Sequence, residues 1–267
     1  MKVIHSLGTP MTDEQYCSHW GNESIKHNRQ SDYDWMASFI PDHSLVLEIG
    51  CGNGLGCLPM LKKGCSIIAI EANEYLAQEA IKNIKSSGFS TKSIVLSKNS
   101  HNEIEHQINF HLLQGSLFSA DAKNIAKSFE FDFVTNWLFG ASPYRAATEL
   151  NQDISELDSG YAQKYRENAT LACNQLARLS KNNNCKLHYT LRSAYDKSTP
   201  KQVAINLFAE EQNEDIFNQN IVSPQNVTLR KNNALGMIST SQMKYISTAP
   251  GVSIPENIKP VIVSVIV

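Results

Sequence analysis

Residues 45–56, Leu45-Val-Leu-Glu-Ile-Gly-Cys-Gly-Asn-Gly-Leu-Gly56, constrain the fold more than any other stretch of the chain. The mostly apolar run LVLEI leads straight into a turn with glycines at 50, 52, 54 and 56. A short continuous run of this kind suits a strand buried on both faces, as in a parallel sheet. The glycines let the backbone turn sharply and approach a ligand with no Cβ in the way. Strand, glycine turn and helix start, in that order, make a cradle for the polar part of a nucleotide-like cofactor.

The spacing separates two cofactor classes. In the dinucleotide fingerprint G-x-G-x-x-G, the third glycine would fall on Leu55 counting from Gly50, or on Cys57 counting from Gly52. Neither frame holds. The pattern is instead Glu48-x-Gly50-x-Gly52-x-Gly54, followed 17 residues beyond Gly54 by an acid closing a second buried strand, Ile67-Ile-Ala-Ile-Glu71. A carboxylate at that tip can accept two charge-assisted hydrogen bonds from a ribose diol.

These residues resemble motif I and the acidic second-strand tip of the class I S-adenosylmethionine-dependent methyltransferases, a resemblance covering roughly residues 44–192. It implies an α/β fold: a seven-stranded doubly wound, mostly parallel sheet in the order 3-2-1-4-5-7-6, with an antiparallel strand seven and helices on both faces. The chain divides on this reading into an N-terminal helical lid, 1–40, and a Rossmann-like domain, 41–267. The implied cofactor is S-adenosylmethionine. Its expected contacts are Glu48, Gly50, Cys51, Gly52, Asn53 and Gly54 in the turn, Glu71 and Ala72 after strand two, Ser116 and Leu117 after strand three, and Asn136 and Trp137 after strand four.

The chain departs from the family at two places. Ser116 stands where an acid often bonds the adenine amine, with Asp121 as a substitute or a helix cap. Asn136-x-x-Phe139 is similar to the N-P-P-Y/F motif of amino methyltransferases but lacks both prolines, so Trp137 and Phe139 read as pocket walls. Methyl transfer from a sulfonium requires alignment and water exclusion more than covalent help. A general base is needed only for a protonated acceptor. His19, Tyr16, Tyr144 and Asp132 are the candidates, with none favoured, and Arg145 reads as a solvated surface arginine.

The chain has 267 residues and a net charge of −2, so no basic excess exists to neutralise a nucleic-acid backbone. A small-molecule acceptor is therefore expected, with a protein acceptor or a non-catalytic S-adenosylmethionine-binding protein as alternatives. Six cysteines without a C-x-x-C pair, and an N-terminus without an apolar core, point to a reduced, cytoplasmic protein. No apolar run approaches a membrane span. His101, His106 and His111, five residues apart, share no helix or strand face; they read as surface histidines and not as a metal site.

Further expectations are a helix over 28–40 closed by Pro41, a helix over 54–63, and one over 74–87 capped by Asn73. Residues 89–106 should hold a short helix or an extra strand, and 140–160 a specificity loop. Helices follow over 160–180 and from Thr199-Pro200 to Glu211, and the β-branched run Val261–Val267 is the terminal strand.

Overall fold

The computed structural model describes residues 11–154, 157, 160–232 and 257–267. Among these, the strands are β1 (Leu45–Ile49), β2 (Ser66–Glu71), β3 (Thr91–Val95), β4 (Phe110–Gln114), β5 (Phe133–Trp137), β6 (Lys186–Asp196), β7 (Val227–Lys231) and β8 (Ile258–Ile266). They form one sheet in the order β3-β4-β2-β1-β5-β6-β8-β7. β1 pairs in parallel with β2 on one side and β5 on the other, while β8 lies antiparallel between β6 and β7. This is the expected seven-strand order with one strand added at the edge.

The added strand is β3, parallel to β4. Residues 89–106 hold both an extra strand and a short 3₁₀ turn, Ser100–Glu103. The strand is obscure in sequence because it buries only Ile94, leaving Val95 74% exposed. Backbone pairing with β4 defines it, not an apolar pattern.

Alternate side chains of the central strands enter two cores. Leu47 and Ile49 face a cluster with residues of α5 (Ala120–Ser128), α7 (Tyr161–Leu179) and α8 (Lys201–Glu211). Val46 faces the opposite cluster, with residues of α2 (Asp32–Ala37), α3 (Cys57–Lys62) and α4 (Glu74–Ser86). Two-sided burial explains the continuous apolar runs of β1 and β2.

The N-terminal region differs from expectation. A single helix, α1 (Asp13–Arg29), opens with a Thr12–Gln15 capping box, and α2 follows a break at Ser31, whose φ is +55°. The periodicity of α1 is weak because its buried positions include Glu23, Ser24 and His27, which are polar. His27 Nδ1 lies 2.8 Å from Asp32 Oδ2, and Arg230 Nε reaches the other oxygen of Asp32 at 2.8 Å. A polar joint thus ties α1 and α2 to β7.

Smaller corrections follow from local chemistry. His111 is buried rather than exposed, and its Nε2 accepts the N–H of Glu105 at 3.0 Å. Ser119, not Asp121, caps α5 by accepting the Ala122 N–H. Residues 143–150 form a further helix, α6 (Pro143–Leu150), capped by Ser142, where a loop was expected. Asn73 caps α4 as expected, accepting the N–H groups of Tyr75 and Leu76. Among the described residues, no helix is long and apolar enough to cross a membrane, and no group of three or more His, Cys, Asp or Glu is arranged to hold a metal ion.

Candidate cofactor cleft

Strand order reverses at β1: the chain runs outward through β2 on one side, then returns to β5 on the other. The carboxyl ends of β1, β2, β4 and β5 border a cleft there, at the position where open α/β sheets bind ligands. The cleft is partly open to solvent.

The glycines of the turn have separate tasks. Gly50, Gly52 and Gly54 have φ of +71°, +56° and +79°, a region that L side chains rarely adopt. A Cβ on Gly54 would stand 3.1 Å from the Ala80 Cα, so this glycine permits close packing of α4. A Cβ on Gly50 would meet the Phe139 ring at 2.5 Å, and one on Gly52 the Trp20 indole Nε1 at 2.5 Å. These two face the cleft, beneath aromatic side chains.

Glu71 is buried at the tip of β2. Its Oε2 accepts the Gly52 N–H and its Oε1 the Asn73 N–H, both at 2.9 Å. Burial pushes its pKa up to about 7, against the opposing pull of those backbone N–H groups. Glu48 points elsewhere: it is buried between strands and accepts a hydrogen bond from the Thr135 hydroxyl. Desolvation raises its pKa to about 8, with the Thr135 hydrogen bond opposing.

Helix α1 crosses above the turn. Asp13 accepts hydrogen bonds from Ser142 Oγ and, at 2.7 Å, from Arg145 Nη2; its carbonyl accepts Asn73 Nδ2 at 2.9 Å. The first residue of α1 therefore joins the N-terminal ends of α4 and α6 over the cleft. Arg145 is engaged there, not solvated. Further along α1, Ser24 Oγ donates to Asn53 Oδ1 at 2.8 Å, and Asn53 O accepts from Asn83 of α4 at 3.0 Å.

On the β5 side, Trp137, Leu138 and Phe139 line the cleft. Leu138 is buried with φ +53°, an uncommon conformation for a branched side chain. It is held by its N–H bond to Thr190 O at 3.0 Å. The Trp137 Nε1–H donates to His188 Nδ1 at 3.2 Å, so His188 carries its proton on Nε2 and donates to Ser264 Oγ at 2.8 Å. Burial lowers the pKa of His188 to about 3 and keeps it neutral. Phe139 stacks on Tyr165 with centroids 5.4 Å apart, and Phe118 meets Tyr165 edge-on at 6.0 Å.

The fold is that of the class I methyltransferases. Its strand order, with an antiparallel strand between the last two, is present here with β3 appended. No family model matches the sequence, and no curated protein matches it. Solved structures similar to this chain include a SAM-dependent methyltransferase from Agrobacterium tumefaciens, at 10% identity and TM-score 0.44, covering 89% of this chain and 61% of that one. Another is magnesium protoporphyrin IX methyltransferase from Synechocystis with bound SAH, at 10% identity and TM-score 0.40, covering 90% and 84%. A third is the CcbJ methyltransferase from Streptomyces caelestis, at 10% identity and TM-score 0.34; the match covers 66% of this chain and little more than half, 57%, of that one.

Of the residues singled out in sequence, Gly50, Gly52, Glu71, Ala72, Ser116, Leu117, Trp137 and Tyr16 line the cleft. Cys51, Asn53 and Gly54 are buried in the turn behind it. Asn136 is buried and donates to Cys173 Sγ at 3.4 Å, so its amide is directed into the α7 interface. Asp132 accepts from Leu45 N at 2.8 Å and Asn182 Nδ2 at 3.2 Å, which fixes it at the opposite, amino end of the sheet. Tyr144 is exposed, and neither it nor His19 lines the cleft. Tyr16 is the candidate base that does; burial raises the pKa of its hydroxyl. Sequence reading missed Asp13, Glu149 and Tyr165 as cleft residues, because their helices were set by periodicity or not seen at all.

Proposed function

We propose that the chain is an S-adenosylmethionine-dependent methyltransferase acting on a small-molecule acceptor. The observation that carries this reading is the juxtaposition of Glu71 with the Gly50–Gly52 turn beneath the aromatic side chains Trp20 and Phe139. A buried carboxylate suits a ribose diol. Aromatic faces suit a sulfonium, at about 0.5–2 kcal/mol per favourable contact. Gly50 and Gly52 would lie along the amino-acid end of the cofactor and Ala72 beside its ribose.

The cofactor supplies an activated methyl group on a cationic sulfur. The chain supplies binding, orientation and dryness. Residues 13–40 serve as the described part of a lid: α1 is tied across the cleft by Asp13, and its Tyr16 and Trp20 exclude water from the cofactor's face. Tyr16, Trp137 and Phe139 border the side on which an acceptor would approach. Burial keeps the Tyr16 hydroxyl protonated, so it would hydrogen-bond and orient an acceptor and not take a proton from it. A roof this close to the glycines favours a small acceptor over a folded protein surface, and the net charge of −2 disfavours nucleic acid.

Calorimetric titration with S-adenosylmethionine, S-adenosylhomocysteine and NAD tests the cofactor. Micromolar binding of the two sulfur nucleotides without NAD is the expected result; binding of NAD alone would overturn it. Transfer of labelled methyl to a panel of small amines, alcohols and thiols then separates an enzyme from a binding protein.

A further inference from the structure

Two hydrogen-bond donors on side chains that line the cleft have nothing to donate to. Arg145 gives Nη2 to Asp13 at 2.7 Å, but its buried Nε makes no hydrogen bond among the described residues. Neither does the Tyr16 hydroxyl, and both residues border the cleft. Buried polar groups are nearly always paired, so unpaired donors beside a cleft mark a place for a ligand atom. A guanidinium can only donate, and burial keeps the Tyr16 proton in place. The missing partner is an acceptor atom.

The fold brings the two donors to one part of the roof. Asp13 and Tyr16 lie one turn apart on the same face of α1, and Asp13 holds Arg145. The Tyr16 hydroxyl lies 2.8 Å from where a Cβ on Gly140 would stand, in the connection from β5 to α6. Trp137 and Phe139 form the wall on that side. The surrounding charge decides which oxygen suits the donors. Asp13 already balances Arg145, and two more acidic side chains, Glu71 and Glu149, line the same cleft. A carboxylate brought there would add like charge to that set, whereas a neutral carbonyl oxygen accepts both hydrogen bonds without it.

We infer that the methyl acceptor is a neutral carbonyl compound (an amide, ester or ketone) whose oxygen accepts hydrogen bonds from Arg145 Nε–H and Tyr16 O–H. The inference rests on the cofactor reading above and adds the class of acceptor to it. Arg145 and Tyr16 are specificity-determining residues: they hold the acceptor by its carbonyl while another of its atoms takes the methyl group. Two donors on one oxygen fix its direction as well as its distance, which is the alignment that transfer from a sulfonium needs. A site built to pair an oxygen also rejects an analogue without it, because the donors are left unpaired again.

The test is titration of the chain, saturated with S-adenosylhomocysteine, with para-hydroxyacetophenone, para-hydroxybenzoate and para-ethylphenol. The three share a ring and a hydroxyl and differ in presenting a carbonyl, a carboxylate or a methylene. The ketone should bind more tightly than either of the others by about tenfold or more. Tyr16→Phe removes one donor, and Arg145→Lys keeps a charge for Asp13 while losing the Nε–H. Each should cut the preference for the ketone over para-ethylphenol by about threefold or more, with S-adenosylhomocysteine affinity held within about threefold. A preference for the benzoate, equal affinities, no binding of any of the three, or a ketone preference unmoved by both variants overturns the assignment and leaves the cofactor reading standing. A larger loss of S-adenosylhomocysteine affinity in either variant gives that donor to the cofactor and overturns it too. Failure of the wild type to bind S-adenosylhomocysteine at the outset overturns the cofactor reading itself, and this inference with it.

Discussion

The carboxylate of Glu71 accepts the backbone N–H of Gly52 at 2.9 Å, joining the tip of β2 to the turn after β1 across a sequence separation of 19. Its other oxygen caps the Asn73 N–H at the same distance. Each carboxylate oxygen keeps a further lone pair for a ligand hydroxyl. One side chain therefore shapes the turn and presents a diol-binding edge.

Donation from a diol favours the ionised form of Glu71. Because burial raises its pKa to about 7, cofactor affinity should increase as pH rises from 6 to 8. Calorimetry across that range checks this. Glu71→Gln should weaken binding by about 1.5–3 kcal/mol above pH 7 and flatten the pH dependence.

Gly54→Ala should destabilise the fold by about 1–3 kcal/mol, since the added methyl meets the Ala80 backbone and the residue stays at φ +79°. Gly88 also has a positive φ, but open space surrounds its Cβ position, so Gly88→Ala should cost about 1 kcal/mol. Denaturant melts of the two variants separate backbone strain from steric conflict. Equal losses would contradict the packing role given to Gly54.

Glu48 and Glu71 both have native pKa values raised above 4.5, to about 8 and about 7. The folded state then holds protons that the unfolded state releases, so these groups make stability fall as pH rises from about 4.5 toward 8. Each contributes a slope of at most about 1.4 kcal/mol per pH unit. Glu48→Gln should raise the melting temperature at pH 8 and reduce that slope, while retaining an acceptor for Thr135.

Asp13→Ala removes the ties from α1 to Ser142, Arg145 and, through displacement of the chain, Asn73. The ion pair is partly exposed, so global stability should change by only about 0–1 kcal/mol. Hydrogen exchange should nevertheless accelerate along the first turns of α1 well above its effect on β1 and β2. Uniform protection across the variant would mean that α1 is held by other contacts.

Legibility in the sequence followed the source of each element's definition. β1, β2 and α4 were readable to within a residue or so, since two-sided burial and the Asn73 cap leave local signatures. α1 was not, because its inward positions carry Glu23, Ser24 and His27, whose burial is licensed by partners such as Asn53, Arg192 and Asp32 elsewhere in the chain. α6 was hidden for a related reason: Ser142 reads as a turn residue until its role as a helix cap and Asp13 donor is seen.

The sequence alone determined the glycine turn and the acid at the tip of β2, because each depends on residues close in the chain and on steric rules without partners; the sheet order came from the family resemblance that those residues carry. The tertiary structure decided which polar side chains face the cleft and which are spent elsewhere. Asp132 is drawn to the amino end of the sheet by Leu45 and Asn182, and Asn136 into the α7 interface by Cys173. Asp13 and Glu149 are brought to the cleft from helices far from the glycine turn. A hydrogen-bonding side chain is defined by the partner it meets, and only the folded chain chooses that partner.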